Sequence, residues 1–144
     1  MKAYVIRAYG EINDIEQIEI AVPAAGNDEV LVKVHAAAVN PADIKVITGR
    51  DGGKFLHSGQ SPIRLGFDFS GMIEQVGSGV SQFEKGDKVF GFLPYSAKTR
   101  QGSFADYVVV KSNAIAKKPS GVDHVEAAAA ATTACTAYQG LVYK

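Results

Sequence analysis

The chain is predicted to be mainly β with a few helices, and three observations carry this. Short apolar stretches with strand-like alternation recur through residue 110, each ended by turn residues. After Pro119 the pattern changes to an alanine-rich stretch with helix-start chemistry. The composition, 47% apolar and 21% charged over 144 residues, is that of one globular domain with its own core. Many strands followed by one late helix suggest a β-barrel or sandwich with appended helices.

Residues 5–8 begin an extended segment, which Ile12, Ile15, Ile18 and Ile20 continue with partial alternation. Residues 23–28 are a turn. Residues 29–39 form the strongest early strand, with Val30, Val32 and Val34 on one face and Leu31, Lys33 and His35 on the other. Asn40-Pro41 stops that strand and starts a helix, since proline suits the first helical position. Residues 43–47 read as that helix, ended by Gly49. The Gly-, Ser- and Asp-rich stretch 50–62 is a loop long enough to suggest function or mobility. Residues 67–76 read as a strand pair. Gly77-Ser78-Gly79 and Lys85-Gly86-Asp87 are turns around Val80 and Phe83. Residues 88–93 and 103–110 are further strands, separated by the polar loop 96–102. Asp123 and Glu126 form a capping-box-like start, and residues 127–141 read as a helix.

Charge and composition narrow the function classes. Fifteen basic residues balance fifteen acidic ones, so no basic field exists for nucleic acid or an anionic membrane. The single cysteine, Cys135, forms no internal disulfide, which favours a reducing compartment. The N-terminal apolar run is too short for a signal peptide, and the longest small-apolar run, Ala127 to Ala131, is far short of a membrane span. A soluble cytoplasmic protein is expected.

Three segments concentrate chemistry. The first is Val39-Asn40-Pro41-Ala42-Asp43-Ile44-Lys45, where a strand hands over to a helix. Such a junction places polar groups at a cleft mouth; it also suits an Asn40 cap and a solvated Lys45. The second is Gly66-Phe67-Asp68-Phe69-Ser70-Gly71, whose glycines are architecture and whose Asp68, set in an apolar strand, needs a partner. The third is the small-residue stretch from Ala127 to Tyr143, with hydroxyls at Thr132, Thr133, Thr136 and Tyr138. Those threonines either face a ligand or bond back to their own helix. Gly77-Ser78-Gly79 begins like a dinucleotide fingerprint, but Gln82 replaces the third glycine and Gly86 leaves no room for the following helix. His35, His57, His124 and Cys135 show no paired metal-ligand spacing, so no metal site is expected. Neither a base for Cys135 nor a G-x-S-x-G elbow is present.

In this order the motifs resemble the N-terminal part of the medium-chain dehydrogenase/reductase superfamily. The markers are Val39-Asn40-Pro41-Ala42-Asp43, Gly66-Phe67-Asp68-Phe69-Ser70-Gly71, Val76-Gly77 with Gly79-Val80, Phe83 with Gly86-Asp87-Lys88-Val89, Gly102-Ser103-Phe104-Ala105-Asp106-Tyr107, and Thr136-Ala137-Tyr138. The resemblance implies a GroES-like, partly open β-barrel over residues 1–121. Residues 122–144 would begin a connecting helix toward a Rossmann domain that these 144 residues do not include.

The zinc branch of that superfamily carries a cysteine ligand where Asn40 stands and a histidine ligand where Phe67 stands. The resemblance therefore implies the zinc-independent quinone oxidoreductase and alkenone reductase branch. There, hydride passes from NADPH to a quinone or an α,β-unsaturated carbonyl. Asn40 would sit beside nicotinamide and acceptor, and Lys45 near the developing enolate oxygen. Asp43 and Asp68 would orient the site. Thr132 and Thr136 would meet the cofactor, and Arg50 and Phe67 would border the substrate pocket. Weak or no NADPH binding is expected from these residues alone. The terminal helix is expected to expose apolar surface and drive homodimerisation or other self-association. The competing reading is a stand-alone GroES-like module that binds a ligand or partner without turnover.

Overall fold

The computed structural model describes residues 1–142, so Tyr143 and Lys144 of the terminal segment lie outside it. The strands are β1 (Lys2–Ile6), β2 (Glu16–Glu19), β3 (Glu29–Ala38), β4 (Ile63–Arg64), β5 (Asp68–Val76), β6 (Lys88–Phe92), β7 (Tyr107–Lys111) and β8 (Ile115–Lys117). The helices are α1 (Pro41–Thr48) and α2 (His124–Val142). Three short 3-10 turns complete the described elements. The mainly β prediction with a few helices holds. The strands make two open antiparallel sheets, ordered β2-β1-β4 and β7-β3-β5-β6-β8, which do not close into a barrel. The sheets are stitched where Ala3 bridges Ala105 and Tyr4 N–H donates to the Phe104 carbonyl at 2.8 Å.

Between the sheets lies one core, built from Ile6, Val30, Val32, Ile63, Leu65, Phe67, Phe69, Ile73, Val89 and Val108, with Val46 and Ile47 of α1. Each phenylalanine there contributes about 2–3 kcal/mol of transfer free energy. Residues 67–76 form one strand and not a pair. β5 is central, flanked by β3 and β6 and covered by α2, so both of its faces are buried and the alternation that marks a single strand is blurred. Ile12 lies in a 3-10 turn (Ile12–Asp14) and not in a strand. Asp14 decides this: its carboxylate accepts from the Glu11 amide at 2.7 Å and closes the turn.

Local signals set both helices as the sequence predicts. Pro41 opens α1 behind Asn40 at the cap, and Gly49 closes it at φ 66°, a conformation that favours glycine. Asp123 and Glu126 exchange hydrogen bonds at 2.8 and 3.0 Å ahead of α2. The small Ala127, Ala128 and Ala131 let α2 pack against β3, β5 and β6. Two polar residues on one face of β5 then pin it. Ser70 Oγ meets His124 Nδ1 at 2.7 Å, and Asp68 holds Thr132. Past Thr132 every residue of α2 through Val142 is exposed, including Tyr138, Leu141 and Val142. Among the described residues no helix is long and apolar enough to cross a membrane.

Candidate functional site

The register of β3 against β5 builds the site. Ala38 pairs with Asp68, so Asn40, two residues on, lies beside the start of β5. A bulge between Val34 and Ala36 leaves His35 without a partner on β5 and sets this pairing. Asn40 N–H donates to Asp43 Oδ2 at 2.6 Å, fixing the Asp43 carboxyl under the first turn of α1. Asp43 is 1% exposed and Asn40 8%. Among the described residues Asn40 Nδ2 and Asp43 Oδ1 are buried without a hydrogen-bond partner. Asn40 and Asp43 form the capping box of α1, as the sequence allowed, and one donor and one acceptor are left over beside that cap.

Burial pushes the Asp43 carboxyl up to about 6, and the charge of nearby Asp68 adds to this against the stabilising Asn40 amide. Asp43 therefore holds or releases a proton close to neutral pH.

Asp68, fully buried, has found the partner its position demanded. Its carboxylate accepts from Thr132 N–H at 3.0 Å and from Thr132 Oγ1–H at 2.5 Å. Its own carbonyl accepts from Ser103 Oγ at 3.0 Å. Tyr95 Oη lies 3.3 Å from Thr132 Oγ1. Since the threonine proton is committed to Asp68, the proton of that contact comes from Tyr95. Burial, with Asp68 and Asp43 close by, raises the Tyr95 phenol. Its ring leans on Phe67 at 4.5 Å between centroids. Asn40, Asp43, Asp68, Thr132 and Tyr95 thus share one junction of β3, α1, β5, α2 and the loop after β6.

Phe67 supports this junction from within: it is 1% exposed and lies in the core beneath Tyr95. Thr136 is exposed one turn along α2 from Thr132, on the same face. Lys45 is not brought to the cluster. Asp43, Val46 and Ile47 define the buried side of α1, and Lys45, two residues from Asp43, lies on the exposed side with no ion pair among the described residues. Arg50 is exposed and reaches Glu11 at 3.9 Å. Of the other threonines, Thr133 bonds back to the Ala129 carbonyl at 2.6 Å. Tyr95 escaped the sequence reading; a lone tyrosine in a polar loop carries no signal until the fold sets it on Phe67.

Gly77 to Gln82 is turn structure. Gly77 N–H donates to the Glu29 carbonyl at 2.8 Å and Gly79 N–H to the Asn27 carbonyl at 2.8 Å. No three His, Cys, Asp or Glu side chains gather as metal ligands among the described residues. A groove of about 660 Å³ opens between β1–β2 and the end of β3, lined by Tyr4, Val34, Val39 and Phe104; Asn40, Asp43, Asp68 and Thr132 do not line it.

Two open antiparallel sheets with an appended helix, and a polar junction at the end of β3, define a class of GroES-like domains. The family model for the alcohol dehydrogenase GroES-like domain matches residues 26–120, and the chain belongs to that family. It is similar to the 2-methylene-furan-3-one reductase of Solanum lycopersicum, 38% identical over 98% of this chain and 37% of the relative. It is equally similar to the chloroplastic NADPH-dependent alkenal/one oxidoreductase of Arabidopsis thaliana, 38% identical over 99% of this chain and 37% of the relative. Among solved structures, the quinone oxidoreductase from Coxiella burnetii superposes with a TM-score of 0.88 at 31% identity, over 98% of this chain and 44% of that one. The chain thus spans well under half the length of the relatives it matches.

Proposed function

We propose that this chain is the substrate-side domain of an NADPH-dependent reductase of quinones or α,β-unsaturated carbonyls, working without zinc. The observation that carries this reading is the orphaned Asn40 Nδ2 beside Asp43, with Thr132 and Thr136 on the adjacent face of α2. The names of the tomato, Arabidopsis and Coxiella relatives supply the reaction class. Residues 1–121 are assigned to the catalytic domain and residues 122 onward to a connecting helix.

These groups fit one edge of a nicotinamide cofactor: Asn40 offers a free donor, and Thr136 a hydroxyl on an open face. When bound, the cofactor supplies hydride to the electrophilic carbon of the acceptor. The residues of this chain do the rest. Asn40 Nδ2 donates to a carbonyl oxygen beside it, where negative charge develops. Asp43 keeps that donor's main chain fixed and exchanges a proton at its own carboxyl at about pH 6. Asp68 fixes Thr132 and, through it, Tyr95. The resemblance gives Lys45 a proton-donating role, but it stands exposed outside the junction, so a smaller share of the chemistry is assigned to it. Zinc-free chemistry follows from Asn40 and Phe67 standing where the zinc branch has its cysteine and histidine. We place the protein in the cytoplasm on its single cysteine, although the Arabidopsis relative is named chloroplastic.

The test joins the remainder of the tomato relative after Val142 and follows NADPH oxidation with 1,4-benzoquinone. Turnover is expected in the fusion and not in the 144-residue chain. Asn40→Ala is expected to cut turnover by about a hundredfold, and Lys45→Ala by less. A fusion indifferent to Asn40→Ala, or one holding stoichiometric zinc on protein ligands, overturns the reading. Turnover absent from a correctly folded fusion favours the alternative, a binding module. The exposed end of α2 leads to a separate expectation: the 144-residue chain self-associates at high concentration through Tyr138, Leu141 and Val142. Sedimentation velocity checks this, and a strict monomer at millimolar concentration contradicts it.

A further inference from the structure

We propose that the groove between the loop after β6 and strand β7 is a binding site for a small amphiphilic anion, an apolar body carrying one carboxylate. The groove encloses about 510 Å³, within the size range of small-molecule sites. It is separate from the junction described above, since Asn40, Asp43, Asp68, Tyr95 and Thr132 do not line it. Its floor is apolar: Leu93, Val109 and Val110 line it and are 2%, 6% and 3% exposed.

Charge at the mouth selects the ligand. Lys98 and Arg100 line the groove, are exposed, and form no ion pair among the described residues. The third cation, Lys111, is already held by Asp28 at 2.6 Å. The single carboxylate of the lining, Glu29, accepts from the Gly26 amide at 3.0 Å. Two positive charges free of ion pairs, opposed within the lining by Glu29 alone, therefore stand over an apolar floor. A cation is repelled there, and a neutral apolar molecule leaves both charges unmatched. A carboxylate offers two oxygens to an arginine fork, while its apolar body covers the valines.

The mouth is also shaped in advance. Thr99 Oγ1 donates to the Pro94 carbonyl at 2.5 Å, and Thr99 N–H to the Ser96 carbonyl at 2.9 Å. Ser58 N–H donates to the Thr99 carbonyl at 2.9 Å, tying the loop to residues 56–59. A ligand entering this groove orders little that is not already ordered.

Decanoate and decanol, titrated separately into the 144-residue protein and followed by amide chemical shifts, test the proposal. Saturable shifts are expected at residues 93–101 and 107–114, with decanoate bound about tenfold more tightly than decanol. Lys98→Glu combined with Arg100→Glu is expected to weaken decanoate about tenfold and leave decanol unchanged. Both residues are exposed, so the fold persists, and unchanged shifts elsewhere in the spectrum verify this. Raised salt is expected to weaken decanoate alone. Equal affinity for the two probes, shifts confined to the exposed end of α2, non-saturating drift, or indifference to the charge reversal each overturns it.

Discussion

Asp68→Ala is expected to destabilise the protein by about 3 kcal/mol and to release α2 before the sheets unfold. Asp68 is fully buried, and its carboxylate accepts two hydrogen bonds from one residue of α2, Thr132. Hydrogen bonds to a charged group are worth about 1.5–3 kcal/mol each when one side is removed. The alanine also leaves the Thr132 hydroxyl and Tyr95 facing a void, while relief of its repulsion on Asp43 offsets part of the loss. The remaining anchor of α2 is Ser70–His124 near its start, together with three buried alanines. That is too little apolar area to hold nineteen residues of helix in register. Urea denaturation gives the magnitude. Hydrogen exchange gives the location: amides of residues 132–142 are expected to lose protection while β3 and β5 keep theirs. Asp68→Asn, which can still accept one of the two bonds, is expected to lose about half as much. If Asp68→Ala unfolds the whole chain in one step with no early loss in α2, Asp68 is core packing and not a helix anchor.

That anchor shows where a sequence stops being informative. A carboxylate within an apolar strand announces a partner, because burying it alone costs too much. The partner, Thr132, stands 64 residues away, and nothing local distinguishes it from Thr133, which bonds its own helix. Features encoded within a few residues were legible: Pro41 and Gly49 bounding α1, and Asp123 with Glu126 ahead of α2. Features created by layering were not. β5 is buried on both faces, so its pattern mixes core residues with the polar pair that holds α2. The placement of Lys45 lies between these cases. Asp43, Val46 and Ile47 share one side of α1, and helical geometry then turns Lys45 away. The motif grouped Asn40, Asp43 and Lys45 by proximity in sequence; the helix separates the last from the first two. Tyr95 joins the site because the fold sets its ring on Phe67 and its hydroxyl on Thr132.

Asp43→Asn is expected to stabilise the protein by about 2 kcal/mol at pH 8, and the gain is expected to shrink as the pH falls toward 4. Burial raises this carboxyl from 3.8 to about 6, so the folded chain holds the proton more tightly than the unfolded chain. The ionised form therefore costs stability above pH 6, by up to about 3 kcal/mol. As the pH falls from 6 toward 3.8 the folded state takes up the proton first, and the cost disappears. The amide never carries that charge. It can still accept from the Asn40 amide, but its own N–H groups meet the place where Asp43 Oδ1 has no partner, which offsets part of the gain. His57 and His124 act in the opposite sense. Burial lowers both, so their contribution is complete above pH 6.5 and is lost as the pH falls. They titrate alike in wild type and variant and cancel in the difference. Urea denaturation of both proteins at pH 8, 6 and 4.5 measures that difference directly. A gain of equal size at all three values would mean that the Asp43 carboxyl titrates alike in the folded and the unfolded chain and carries no burial cost. The orphaned pair would then be a packing fault and not a proton-holding group. A gain that vanishes on acidification places a titrating proton within the Asn40 junction, where the proposed chemistry needs one.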